Sequence, residues 1–121
     1  MIAAPLKTFS TTQQMVFDAL GNPVRRQIIE LLANPPHTVR DIAQQFPISR
    51  PAISKHLLLL EHAGLITHQT KGNRNLYHLQ QQGFEQAQDW LENYWNQAFN
   101  RFRLLAENTQ QKPKQKDPAH G

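Results

Sequence analysis

Apolar side chains in this chain recur mainly in steps of three and four, the spacing of helix faces, with one stretch of alternation between them. Phe9, Val16, Phe17 and Leu20, with Gln13 on the same stripe, predict a first helix over about 12–20 that stops at Gly21. Asn22 followed by Pro23 is a helix start, because the Asn side chain accepts from free backbone amides and Pro has no amide to leave unpaired. A second helix is expected over about 23–33, with Val24, Ile28, Leu31 and Leu32 inward, Arg25, Arg26 and Glu30 outward, and Pro35 and Pro36 beyond it. Thr38 with Asp41 three residues on has the form of a capping box for a short third helix over about 38–46. Ser49 and Pro51 open a fourth over about 49–63, carrying Ile53, Leu57 and Leu60 and ending at Ala63 and Gly64.

After Gly64 the period shortens. Thr67 to Thr70 and Leu76 to Leu79 flank the turn residues Lys71 to Asn75, which predicts a β-hairpin over about 66–79, centred near Asn73, with Tyr77 and Leu79 inward. From Phe84 to about Asn108 the stripe Phe84, Ala87, Leu91, Tyr94, Ala98, Phe102 and Leu105 defines a long amphipathic helix. Trp95 and Phe99 widen its apolar face beyond what a small core can cover, which points to a second chain. The expected architecture is mainly α with a small β-hairpin: a flexible stretch 1–11, one folded domain 12–108, and a disordered basic tail 109–121.

Composition narrows the chemistry. A chain of 121 residues has room for one domain, and the absence of cysteine excludes disulfides, thiolate metal sites and Cys nucleophiles. No apolar run is long enough to span a bilayer, so the expected location is the cytoplasm, with no membrane partner. The net charge of +4 is unevenly placed: residues 37–79 hold five Lys and Arg against two Asp and Glu, whereas 80–108 hold two against four. The basic surface therefore belongs to the middle of the chain, where a polyanion would bind.

That same middle block has the form of a helix-turn-helix followed by a wing. Residues on the solvent side at the start of the second helix of such a pair reach base edges in the major groove, and here these are Ser49, Arg50, Pro51, Ser54, Lys55 and His56. Arg50 has the guanidinium fork for guanine; Lys71 and Arg74 form a basic wing tip suited to flanking phosphates. Thr38 and Arg40, at the start of the preceding helix, complete the candidate DNA-contacting set. His56 has a second reading, a hydrogen bond to backbone at the core edge. A hairpin centred on Asn73 sets His68 and His78 opposite each other, yet two imidazoles fall short of the roughly four ligands of a closed zinc site. No phosphate loop, nucleophile elbow or carboxylate pair occurs, so no enzyme activity and no cofactor are expected.

The run Ala19-Leu20-Gly21-Asn22-Pro23-Val24-Arg25-Arg26, continuing to Leu32, resembles the opening signature of the ArsR/SmtB-type bacterial repressors. So do Ile48 to Leu57, Glu61 to Ile66, and the hairpin with Gly72 and Tyr77, so that the likeness covers about residues 15–108. The resemblance implies a winged-helix homodimer, joined through its terminal helices, that represses its own or an adjacent operon at a palindromic operator and leaves room for a small-molecule inducer. Phe9, Val16, Phe84, Leu91, Tyr94, Trp95, Ala98, Phe99 and Phe102 are then the candidate dimer contacts. Metal-sensing members carry cysteines where this chain has Thr38 and Arg40, and the terminal helix lacks the Asp and His ligands of zinc sensors, so no metal site is expected. The competing readings are a metal-responsive regulator built on histidines and a winged helix used only for protein contacts.

Overall fold

A computed structural model describes residues 10–114. The elements run α1 Thr11–Leu20, α2 Pro23–Leu32, β1 His37–Thr38, α3 Val39–Ala43, α4 Arg50–His62, β2 Ile66–Lys71, β3 Arg74–Leu79 and α5 Gln81–Lys114. This is the predicted mainly helical architecture with a small antiparallel sheet.

Each helix start is set by its own cap. Ser10 and Gln13 exchange side-chain and backbone bonds ahead of α1, and Asn22 Oδ1 accepts from the amides of Val24 (2.8 Å) and Arg25 (3.1 Å) ahead of α2. Asn22→Ala leaves both amides without that partner, and we expect it to cost about 1 kcal/mol in denaturant unfolding. A loss of only a few tenths would mean that Pro23 alone sets the helix start.

α4 is the centre of the first unit. Its Ile53, Leu57 and Leu60 are fully or almost fully buried together with Val16 of α1, Ile28 of α2, Ile42 of α3, Leu65 just before β2 and Ile66 at its start. Burying each such side chain stabilises the fold by about 1.5–3 kcal/mol, so this cluster dictates which face of α4 is left for solvent. Val16 is therefore a core residue of its own protomer and not a dimer contact. The helical period showed that α1 has an apolar face, and α4 claims it. Phe84 packs half-buried against the same core. Phe9 lies outside the described residues.

The sheet order is β1-β3-β2. β1 was not predicted: two residues after a proline pair carry no alternation, and only pairing of His37 with Tyr77 and Thr38 with Leu76 makes them a strand. The hairpin turns through Gly72 and Asn73, with Gly72 at φ 66°, the glycine-first two-residue turn that suits twisted strands. Its centre thus falls between these residues, not on Asn73. His68 faces Tyr77 and Thr67 faces His78, so His68 and His78 lie on opposite faces of the sheet and the expected histidine pair does not form.

Two boundaries also differ. α3 ends at Ala43 because the next amides tighten into three-residue bonds, Gln45 to Ile42 O and Phe46 to Ala43 O. α5 begins at Gln81 and continues to Lys114, past Asn108 where the expected helix ends. The rest of the predicted tail, and residues 1–9 of the predicted flexible start, lie outside the described residues; Ser10 and Thr11 belong to the α1 cap and first turn.

The chain divides within α5 into two compact units, one ending at Gln88 and the other beginning at Asp89. In the second unit Trp90 and Tyr94 are in ring contact at 4.8 Å, and Trp95 stacks on Phe99 at 6.0 Å. Leu91, Trp95, Phe99 and Phe102 are exposed, Phe102 by 70%.

Candidate nucleic-acid interface

Ser49 Oγ accepts from the Ala52 amide (3.2 Å) and Pro51 occupies the second helical position, where no amide partner is needed, so α4 starts sharply after the turn from α3. With Ile53, Leu57 and Leu60 inward, the opposite side of its first two turns presents Ser49, Arg50, Pro51, Ser54 and Lys55 to solvent. Lys71 and Arg74 are register partners at the exposed wing tip, where Thr70 Oγ1 donates to Asn75 Oδ1 (2.9 Å).

The fold brings three guanidinium-bearing residues from different elements to one groove of about 620 Å³: Arg40 of α3, Arg50 of α4 and Arg74 of β3. Gln44, Asn73 and Asn75 line it with hydrogen-bonding groups, and Asp41 is its one acidic lining residue. Such a groove offers charge and directed donors to a phosphodiester backbone. Thr38 also lines it, but the side chain is buried and its Oγ1 accepts from the Asp41 amide (3.1 Å), while Asp41 accepts from the Thr38 amide. Thr38 therefore builds the α3 start and is not placed to contact DNA, a correction to the predicted set; its role as a cap was legible, its burial was not.

His56 is half-buried, and its Nδ1 lies 3.2 Å from Nη1 of Arg25. Because a guanidinium only donates, this contact is a hydrogen bond when Nδ1 is the acceptor, that is, in the neutral ring with its proton on Nε2. Burial holds its pKa below the ordinary 6.5, and the charges of Arg25 and Lys55 push the same way. Arg26 is exposed as expected and Arg25 half-buried, and both cap α1: Arg25 Nε donates to Ala19 O (2.8 Å), its Nη2 to Asp18 O (3.2 Å), and Arg26 Nη1 to Leu20 O (2.8 Å). The signal was available, since two cations follow directly on a helix C-terminus whose carbonyls lack partners.

At the base of the wing, His68 Nδ1 is 2.6 Å from Glu61 Oε2 and its ring lies 5.0 Å from that of Tyr77. Burial, with the nearby Glu61 charge, raises the Tyr77 phenol above its usual value. Among the described residues no three His, Asp or Glu side chains gather into a metal-binding cluster.

Two helices joined by a tight turn, an exposed second-helix face and a basic hairpin beside it define a winged helix-turn-helix, the fold of DNA-binding transcription regulators rather than of an enzyme. The sequence profile described as "Bacterial regulatory protein, arsR family" matches residues 22–68, which span α2 to β2. The HTH-type transcriptional regulator Rv2034 of Mycobacterium tuberculosis is 34% identical over 92 residues, covering 76% of this chain and 86% of the relative. The transcriptional repressor SdpR of Bacillus subtilis is 38% identical over 85 residues, covering 70% and 94%. The structure also matches the homodimeric winged helix-turn-helix DNA-binding domain Mb0332 of Mycobacterium bovis, with a TM-score of 0.56 and 25% identity over 83% of each chain. The chain belongs to the arsR family of bacterial regulatory proteins.

Proposed function

We propose that this regulator is a homodimeric repressor that binds a palindromic operator in double-stranded DNA, in the cytoplasm, and controls its own or an adjacent operon. The observation that carries it is the groove shared by Arg40, Arg50 and Arg74, because three cationic side chains from two helices and a wing converge where a DNA strand would pass. SdpR, a repressor, supports the direction of control, and the homodimeric Mb0332 domain supports the assembly. In this assignment the α4 face Ser49, Arg50, Pro51, Ser54 and Lys55 enters the major groove, while Arg40, Lys71 and Arg74 hold flanking phosphates. Leu91, Tyr94, Trp95, Ala98, Phe99 and Phe102 pair the second units of two chains. The same fold admits control by a small-molecule inducer, which binding screens against the purified dimer would identify.

The test separates base from phosphate contacts. Arg50→Ala is expected to weaken operator binding by about 1–3 kcal/mol and to spare binding to random duplex, since a bidentate guanine contact carries sequence information. Arg74→Ala should weaken both equally and make the salt dependence shallower by about one phosphate. Equal losses on both duplexes for Arg50→Ala would move Arg50 to the phosphate class, and an unchanged salt slope for Arg74→Ala would remove the wing from the interface.

A further inference from the structure

The core turns Ile53, Leu57 and Leu60 of α4 inward and so selects the face left to solvent, and because apolar packing is non-directional, directed bonds refine that seating. One directed bond does so on the side next to the DNA-facing residues. His56 follows Lys55 and lies two residues after Ser54, and its Nδ1 is held by Arg25. Arg25 is itself anchored to the α1 carbonyls of Ala19 and Asp18. A single guanidinium therefore ties the end of α1, the start of α2 and the flank of α4.

We infer that Arg25 and His56 are a positioning pair that sets the seating of α4 on DNA, and that the pair holds only while the His56 ring is neutral. His56 thereby acts through Ser54, Lys55 and Arg50 rather than by touching DNA. This rests on the proposed DNA-binding function.

Protonation would turn the Nδ1 acceptor into a donor facing another donor, two cations 3.2 Å apart. The charged groups around the ring offer no relief. The charges that act on the ring are both cationic, Arg25 of α2 and Lys55 of α4, and what α1 brings to the pair is the backbone carbonyls of Asp18 and Ala19, which accept from Arg25. The sign follows from the lowered pKa of the folded ring. The unfolded chain takes the proton first, so the pair's contribution is complete above 6.5 and is lost as pH falls through the folded value.

The experiment uses the full chain and a duplex enriched by it from a random pool, with affinity measured near pH 7.5 and near pH 5.5. His56→Asn puts an amide oxygen where Nδ1 was, and His56→Leu removes the acceptor. At the higher pH the Leu variant should bind about tenfold more weakly, and the Asn variant within about threefold of wild type. On acidification wild type should lose severalfold more affinity than the Asn variant. The inference is overturned if wild type instead gains on the Asn variant at low pH, the mark of an imidazolium on phosphate, or if the folded Leu variant binds as wild type does. ¹⁵N shifts of the imidazole in the free protein decide the pair independently of DNA: Nδ1 unprotonated and Nε2 protonated is expected at neutral pH, and the reverse tautomer overturns it. Failure to enrich any duplex would instead sink the DNA-binding function, with the imidazole measurement still standing.

Discussion

Gly83→Ala is expected to destabilise the protein by roughly 3 kcal/mol, although the same change inside an ordinary exposed helix is stabilising by about 1 kcal/mol. A Cβ built on Gly83 would lie 2.7 Å from Ala63 O, Gly64 C and Gly64 O. All three are backbone atoms, so no side-chain rotation relieves the overlap. The turn they belong to is itself rigid: the Gly64 amide bonds to Glu61 O and the Leu65 amide to Leu60 O, each at 3.0 Å, with Gly64 at φ 74°. The Gly83 amide donates to Gly64 O at 2.7 Å, so backing α5 away from the turn would break that bond as well. Denaturant unfolding measures the effect directly. An alanine variant as stable as wild type, or more so, would show that α5 does not begin against the α4–β2 turn.

Phe102→Glu is expected to leave the protomer folded and abolish the dimer. At 70% exposure the Phe102 side chain contributes little to the fold of its own chain, so a monomer loses almost nothing by the change. In a dimer closed by two copies of α5 the picture reverses. Trp95, Ala98, Phe99 and Phe102 line an apolar groove of about 210 Å³, and a carboxylate introduced there has no cation among the lining residues to pair with. Two-fold symmetry places the charge twice in the same interface. Operator affinity should fall about a hundredfold or more at physiological salt, because one protomer neutralises only half of the phosphates. Sedimentation and operator titration read both effects. A Phe102→Glu protein that stays dimeric and binds as wild type would put the dimer contact elsewhere, and a wild type that sediments as a monomer at micromolar concentration would remove the dimer altogether.

What could be read along the chain was whatever neighbouring residues decide among themselves. The caps at Asn22, Thr38 and Ser49, the glycine stops and the three-to-four spacing of apolar positions are interactions over one or two turns, and the helices they predict are present with ends shifted by a few residues. The exposed face of α4 was legible for the same reason: once Ile53, Leu57 and Leu60 are inward, helix geometry alone turns Arg50, Ser54 and Lys55 outward. Tertiary structure decided everything that depends on which distant segment arrives opposite. A one-residue difference in cross-strand register parts His68 from His78, and β1 exists only because β3 pairs with it. Val16 is spent on the core, Arg25 reaches His56 across 31 positions, and Arg40, Arg50 and Arg74 share a groove. Periodicity records that a residue will be covered, but the covering partner is chosen by packing among all elements at once, and that choice is not a property of any local stretch of chain.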